Sequence, residues 1–148
     1  MSVIRIPRFP VMIFALGVLV MPQTARRPAM SYEVESPPVA GAPAQPQLRV
    51  RTIQGEVRDR EGMAIPHVGL GLFTDTPDHR FLRIVVTGDN GSFDFGHVAP
   101  GSYRLVAKYP GLCTANIPLS VDRNAPGRHI LLRMEYPGLD VCSRARLK

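Results

Sequence analysis

The chain has 148 residues and a formal net charge of +6 at pH 7. This length allows one domain with a short appendage and excludes a large multidomain enzyme. Fifteen Pro and thirteen Gly indicate many turns, which favours an all-β chain over a helical one.

The N-terminal segment resembles a secretory leader. Arg5 and Arg8 precede an apolar run from Phe9 to Met21, which is the order of charge and hydrophobicity in a signal peptide. The run is shorter than the roughly 18–20 residues that a membrane-spanning helix requires. We therefore expect a signal peptide over residues 1–25, cleavage after Ala25, and export to the periplasm or the extracellular space. No integral membrane segment is then left in the mature chain; the alternative is a leader that stays as an anchor.

The basic residues do not form a nucleic-acid site in the sequence. They are spread along strand-like segments, and the C-terminal "RARLK" is the longest basic stretch. Basic and aromatic residues do not interleave as they do on nucleic-acid platforms. We predict no nucleic-acid partner, and a solvated basic surface suited to anionic envelope components.

Residues 26–47 contain five prolines separated by small residues, and we predict a Pro-rich disordered linker there. From Leu48 onward, short stretches with apolar residues at every second position are separated by Gly, Pro, Asp or Asn. This pattern predicts seven strands in a two-sheet domain over residues 48–148. The predicted strands cover residues 48–58, 66–74, 80–87, 92–95, 102–109, 113–122 and 128–135.

The motif "GEVRDREGMAIPHVGLGLF" and the later "TGDNGSFDFGHVAPGSYRL" are similar to the carboxypeptidase regulatory-like family. The residues that carry this resemblance are Gly55, Val57, Asp59, Gly62, Pro66, Gly69, Thr87, Gly91, Phe93, Pro100, Gly101 and Tyr103. The resemblance implies an antiparallel, Greek-key β-sandwich of the prealbumin (transthyretin-like) or Cna-B-like type. Such domains serve as accessory modules on enzymes and receptors or as free secreted proteins, and related folds include carbohydrate-binding modules.

Three departures from active relatives argue against catalysis. No His-x-x-Glu sequence is present, the C-terminus lacks the Tyr-Arg-Gly-Ser ending of transthyretin-like hydrolases, and the first strand lacks the Lys of an isopeptide bond. The four histidines, His67, His79, His97 and His129, do not have metal-ligand spacing. We predict no enzyme, no catalytic residue, no cofactor and no metal site.

Two cysteines, Cys113 and Cys142, predict a disulfide in an exported chain. If successive strands alternate in direction, the start of the sixth predicted strand and the end of the seventh lie at the same pole of the sandwich. The loop closed by the bond would span 29 positions, which gives roughly 3.5 kcal/mol of stabilisation in the chain-entropy model. Two free thiols, or a redox or metal role, are the alternatives.

The stretch "YPGL" occurs at residues 109–112 and again at 136–139, and Pro-Gly at its centre suits a type II turn. The same alternation of strand direction brings five candidate residues to the pole of the cysteines: Tyr109, Tyr136, Asp59, Glu61 and Asp89. They form a possible ligand or partner patch; the alternative is two turns selected for geometry alone. A calcium loop on Asp89, Asn90 and Asp94 is not predicted, because alternating Asp-x-Asp-x-Asp-Gly spacing is absent.

From these features we expect a non-catalytic exported module for protein interaction or structural support in the cell envelope, with an envelope protein or glycan as partner. The alternative is a carbohydrate-binding module that uses the pole with the two tyrosines, and an enzyme with an unrecognised site is a third. Exposed aromatic residues at a pole favour carbohydrate binding, whereas a flat polar surface with an exposed strand edge favours the first function.

Overall fold

The computed structural model describes residues 45–137 and 143–148. The predicted signal peptide, all of the predicted linker except residues 45–47, and Cys142 lie outside the described residues. No helix in the described ranges is long and apolar enough to cross a membrane.

The described residues form two β-sheets and confirm the all-β sandwich that the sequence predicts. The strands number nine rather than the predicted seven. They are β1 (Leu48–Val50), β2 (Gln54–Arg58), β3 (Gly69–Thr74), β4 (Phe81–Val86), β5 (Ser92–Asp94), β6 (Gly101–Lys108), β7 (Ala115–Val121), β8 (Ile130–Met134) and β9 (Ser143–Leu147).

One sheet has five strands in the order β1-β7-β6-β3-β4, and the other has four in the order β5-β2-β8-β9. Most neighbouring strands are antiparallel, as the sequence predicts. The pairings of β1 with β7 and of β2 with β8 are parallel, which corrects the prediction of a wholly antiparallel sandwich. Parallel neighbours arise here because a strand from the start of the domain joins a strand from its end.

The predicted first strand over 48–58 is wrong, because it divides into β1 and β2, and these belong to different sheets. Leu48 and Val50 are buried at even positions, whereas Ile53, Gly55 and Val57 are buried at odd positions. The chain therefore shifts its inward face between Val50 and Ile53, where it crosses from the five-stranded to the four-stranded sheet. The shift from even to odd buried positions is present in the sequence. We did not detect it, because the segment was interpreted as one strand with a single period of two.

The strand β9 was not predicted. Its antiparallel pairing with β8 runs from Ile130 opposite Leu147 to Met134 opposite Ser143. Only small side chains, those of Ser143 and Ala145, are buried at its inward positions, and arginines alternate with them. The alternation of apolar and polar residues is therefore weak. A segment rich in arginine is typical of a solvated tail, so the pattern did not predict a strand.

The inner faces of the two sheets pack against each other and form the core. The residues that period two assigns to the interior are buried: Val68, Leu70, Leu72, Phe93, Phe95, Leu105, Ala107, Ile117, Leu119 and Val121. Phe93 and Phe95 pack edge to face with ring centroids 6.3 Å apart. Burial of this continuous set of aliphatic and aromatic side chains is the main contribution to stability.

The strand β2 lies between β5 and β8, and at Gly55 its backbone lies very close to the backbone of β8. Gly55 is opposite Phe93 in β5 and Ile130 in β8. A Cβ atom at position 55 would lie 1.9 Å from the carbonyl oxygen of Ile130. Because that oxygen belongs to the backbone, it cannot move without separating the two strands.

We expect Gly55→Ala to lower the free energy of unfolding by about 3 kcal/mol, at the upper end of the cost of overpacking a core. Gly127→Ala is the matched control, because no atom lies within 4 Å of a Cβ built at Gly127. Urea unfolding of the two variants and the natural protein measures the difference. Equal stability of Gly55→Ala and Gly127→Ala would contradict the described register of β2 and β8.

Candidate functional site

The predicted patch residues lie at one end of the sandwich, which we call the polar end. It consists of the segments 59–68, 87–91, 109–114 and 135–137, which follow or precede strands paired in register at this end. Backbone hydrogen bonds connect these segments: Val57 donates to Gly91 (2.8 Å), and Cys113 donates to Glu135 (2.8 Å). The candidate residues carried by these segments are Tyr109, Tyr136, Asp59, Glu61, Asp89 and Cys113.

The carboxylate of Asp59 is occupied by its own turn. Its Oδ1 accepts a hydrogen bond from the backbone N–H of Met63 at 2.7 Å, and its backbone N–H donates to the Met63 carbonyl at 2.9 Å. Gly62 has φ of +88°, which a residue with a side chain rarely adopts. Arg58 donates to the Gly62 carbonyl at 2.7 Å. Asp59 is therefore a turn-closing residue, whereas Glu61 is exposed.

The side chain of Asp89 is fully exposed, and its Oδ1 lies 4.0 Å from Nε2 of His67. When the imidazole is protonated, the two groups form an exposed ion pair, which contributes little to stability. The neighbouring Asn90 closes the turn, because its Oδ1 accepts hydrogen bonds from the backbone N–H (3.1 Å) and the hydroxyl (2.7 Å) of Ser92. In the described ranges, no three His, Cys, Asp or Glu side chains are placed to hold a metal ion.

Thr87 is a buried polar residue that fixes the polar end, and sequence reasoning gave it only the role of a hairpin residue. Its hydroxyl donates to the Ile65 carbonyl and accepts from the Val68 N–H, both at 2.9 Å. Its backbone exchanges hydrogen bonds with Val68 and His67. These contacts hold the segment before β3 against the end of β4.

The two tyrosines of the patch differ in exposure. Tyr109 is partly buried and packs against the core. Its turn closes with a hydrogen bond from the Leu112 N–H to the Tyr109 carbonyl at 3.1 Å, and Gly111 has φ of +82°. This geometry fits the type II turn that the sequence predicts. Tyr136 is 63% exposed, so it is the aromatic side chain that the polar end presents to solvent.

Cys113 is 7% exposed, and the described residues contain no free cysteine. The hydroxyl of Ser143 donates to the Cys113 carbonyl at 3.2 Å. The residue that follows Cys142 in the chain therefore contacts the backbone of Cys113. Cys142 itself lies outside the described residues.

Two shallow grooves lie away from the patch. One, of about 280 Å³, separates the edges of β4 and β5 and is lined by residues that include Val86, Asp94 and His129. The other, of about 200 Å³, is at the opposite end and is lined by residues that include Arg51, His97 and Arg123. None of the five predicted patch residues lines either groove.

The strand β4 is an exposed edge of the five-stranded sheet. Phe81, Leu82 and Val86 are 46%, 37% and 52% exposed. Thr87 directs both its backbone groups toward the segment before β3, and the direction of these groups alternates along a strand. The N–H and C=O groups of Ile84 and Val86 therefore point away from the sheet.

The other three edges offer less backbone for pairing. The edge strands β1 and β5 have three residues each. At the β9 edge, the side-chain amide of Gln45 donates to the Ala145 carbonyl at 3.0 Å and accepts from the Ala145 N–H at 3.1 Å. Among the described residues, β4 is thus the longest edge without a covering group.

A model of the carboxypeptidase regulatory-like domain matches residues 52–133, which is more than half of the chain. The chain belongs to this family. The match includes β2 to β7, β8 up to Arg133, and every residue on which the sequence resemblance rests. The strands β1 and β9 lie outside it.

Several solved structures are similar to this member of the family, and they are transthyretin-like. Sea bream transthyretin in complex with thyroxine is 16% identical, with a TM-score of 0.47. The match covers 66% of this chain and 96% of that chain. Transthyretin from Sparus aurata is 15% identical with a TM-score of 0.47, and the coverage is 66% and 98%. Klebsiella pneumoniae 5-hydroxyisourate hydrolase is 16% identical with a TM-score of 0.48, again at 66% and 98% coverage. No curated protein matches the chain.

The prediction that the chain is not an enzyme is corrected by the last of these comparisons. A 5-hydroxyisourate hydrolase is an enzyme, and it is similar to this chain in structure. The expectation that the chain is not an enzyme is therefore withdrawn.

Proposed function

We propose that this carboxypeptidase regulatory-like domain is an exported module for protein interaction or structural support in the cell envelope. The leader-like N-terminus supports export, and the exposed edge of β4 is the observation that supports protein interaction. An extended partner segment can add a strand to such an edge, with main-chain hydrogen bonds for affinity and side-chain contacts for specificity.

The chemistry of β4 suits this mode of binding. Its outward backbone groups at Ile84 and Val86 form a short ladder. The exposed Phe81 packs edge to face on Phe73, with ring centroids 5.4 Å apart, so the ring is held in place for a partner. A segment with apolar residues at alternate positions fits this strand.

We expect a photo-crosslinking residue placed at Leu82 to form an adduct with an envelope protein in the native host, because Leu82 lies on the open edge. The same crosslinker at Arg123, an exposed residue just after β7, which is separated from β4 by β6 and β3, is the matched control. Combination with Ile84→Pro should reduce the Leu82 adduct more than about tenfold, since proline removes an outward donor. The thermal midpoint of Ile84→Pro verifies that the fold is kept. An undiminished adduct, or an equal one at Arg123, would overturn the proposal.

Carbohydrate binding through the polar end is the second candidate, and the exposed ring of Tyr136 is the observation that favours it. Sugar rings stack on exposed aromatic faces, and the exposed carboxylates of Glu61 and Asp89 lie at the same end as potential hydrogen-bond acceptors. Tyr109 contributes less, because it packs against the core.

If this second function is correct, titration with envelope glycans will show binding that Tyr136→Ala abolishes and Tyr109→Ala weakens. Phe81→Ala is the control, because Phe81 is an exposed aromatic residue on a different surface. Isothermal titration calorimetry or a glycan array provides the measurement. A natural protein that binds no glycan, or a Tyr136→Ala variant that binds normally, would exclude this function.

We further propose that Cys113 and Cys142 form a disulfide in the exported chain. It is supported by the absence of a free cysteine in the described residues and by the contact of Ser143 with Cys113. The intact mass of the exported protein should correspond to a chain that starts at Arg26 and lacks the two thiol hydrogens. Cys142→Ser should lower the free energy of unfolding by about 3 kcal/mol. Reductant should remove this difference, and two alkylatable thiols in exported protein would refute the bond.

A further inference from the structure

The outer face of the four-stranded sheet carries a grid of basic side chains, which we call the basic face. Gly55, Val57, Ile130, Leu132, Met134, Ser143 and Ala145 point inward and are buried. The residues between them therefore point outward. The outward residues are Ser92 and Asp94 in β5, Gln54, Glu56 and Arg58 in β2, Leu131 and Arg133 in β8, and Arg144 and Arg146 in β9, with His129 and Lys148 beyond the strand ends.

The strand register arranges these residues in rows. Arg58 is opposite Arg133, and Arg133 is opposite Arg144. In the next row Glu56 is opposite Leu131, which is opposite Arg146. Neighbouring strands lie about 4.8 Å apart, so the arginines of the first row are adjacent along a line of roughly 10 Å.

Two carboxylates, Glu56 and Asp94, neutralise part of this charge. Asp94 is opposite Gln54 at the β5 edge, and its Oδ1 accepts a hydrogen bond from the Gly96 N–H at 2.6 Å. Glu56 accepts hydrogen bonds from Arg58 at 2.5 and 2.9 Å and forms an ion pair with Lys148. The hydrogen bonds from Arg58, and then from Lys148, lower the pKa of Glu56, so it is ionised at neutral pH. The five cations (Arg58, Arg133, Arg144, Arg146 and Lys148) against the two carboxylates leave a net charge of +3 on this face.

Three arginines remain without an acidic partner among the described residues: Arg133, Arg144 and Arg146. All three are exposed, so the packing of the core does not require them. Like charges directly opposite each other in a sheet destabilise it. A bound anionic partner would offset this repulsion, and folding alone would not.

The shape and chemistry of the face limit its partner. Leu131 is the apolar residue of the grid, and it is only 6% exposed. No Phe, Tyr or Trp is among the outward residues of these strands, so the strands offer no such ring for stacking on bases or sugars. None of the three arginines lines either of the two grooves. An array of arginines that lines neither groove gains affinity by contacting many anionic groups at once, as a bilayer of anionic lipid presents them.

The point at which the chain enters the domain is consistent with a membrane. The side chain of Gln45 is bonded to Ala145, which lies between Arg144 and Arg146 in β9. The 44 preceding residues contain the apolar run from Phe9 to Met21. The segment that carries the leader-like sequence thus joins the domain at the edge of the basic face.

We propose that the basic face of the four-stranded sheet binds the surface of a bilayer that contains anionic phospholipid, through Arg133, Arg144 and Arg146. This function is separate from the pairing of a partner protein at β4. It is also independent of the fate of the leader, because the arginines belong to the folded domain.

The test compares co-sedimentation of the full chain with vesicles of phosphatidylglycerol and phosphatidylcholine and with vesicles of phosphatidylcholine alone. Binding to the second kind measures the contribution of the apolar N-terminal run. The increase caused by phosphatidylglycerol measures the charge-dependent contribution. We expect the variant Arg133→Gln, Arg144→Gln, Arg146→Gln to lower the phosphatidylglycerol-dependent part of the vesicle partition coefficient about a hundredfold. Each basic residue near the surface contributes about fivefold to that coefficient.

The matched control is Arg60→Gln, Arg80→Gln, Arg123→Gln, which has the same net charge and changes three exposed arginines in loops. At physiological salt the Debye length is about 8 Å, so we expect this control to retain most of the increase. Urea unfolding verifies that both variants fold. Equal losses in the two variants, or no increase with phosphatidylglycerol in the natural chain, would overturn the proposal. Binding of soluble polyphosphate without binding of vesicles would also overturn it.

Discussion

The close parallel contact of β2 with β8 at Gly55 is the constraint on which much of the molecule depends. The backbone of β2 lies directly against the carbonyl of Ile130 at Gly55. A residue with a side chain at this point would clash, so the observed register requires glycine opposite Ile130. That register places Val57 inward, and its N–H and C=O groups then bind Gly91 and Ile65. The turns of the polar end are therefore fixed by a contact in the middle of the sheet.

The same register creates the chemical character of the outer face. With Gly55 opposite Ile130, Arg58 lies opposite Arg133, and the antiparallel pairing of β8 with β9 adds Arg144 to the row. A shift of one residue would turn these arginines toward the core and the aliphatic residues toward solvent. Burial of the aliphatic residues thus fixes a register in which like charges are neighbours on the outer face. The repulsion between these charges is unfavourable by itself.

The sequence predicted those parts of the structure that depend on local alternation and turn geometry. The inward positions of β3, β5, β6 and β7 follow from period two, and the turn at Tyr109–Leu112 follows from Pro-Gly. The division between β1 and β2 was missed, because the change of parity falls between Val50 and Ile53 within one apparently continuous strand. β9 was missed because arginines alternate with small residues.

The basic face could not be predicted from the sequence for a different reason. Its cations come from positions 58, 133, 144, 146 and 148, and only the strand register shows that they are neighbours. The same is true of Thr87, whose two hydrogen-bond partners, Ile65 and Val68, lie about twenty positions earlier in the chain. Long-range register is set by the packing of whole sheets, and local patterns do not encode it in a readable form.

The arginines of β8 and β9 and the open edge of β4 lie at opposite lateral margins of the sandwich. β4 and β5 flank the larger groove on one side, whereas Gln45, β9 and the start of β7 meet on the other. A bilayer at the basic face would contact the four-stranded sheet near β9 and leave the outward groups of Ile84 and Val86 accessible. Strand addition at β4 would extend the five-stranded sheet away from β1 and leave the arginines in place. If both proposals hold, the two partners can be bound at once, and the domain would connect a membrane surface to a second protein.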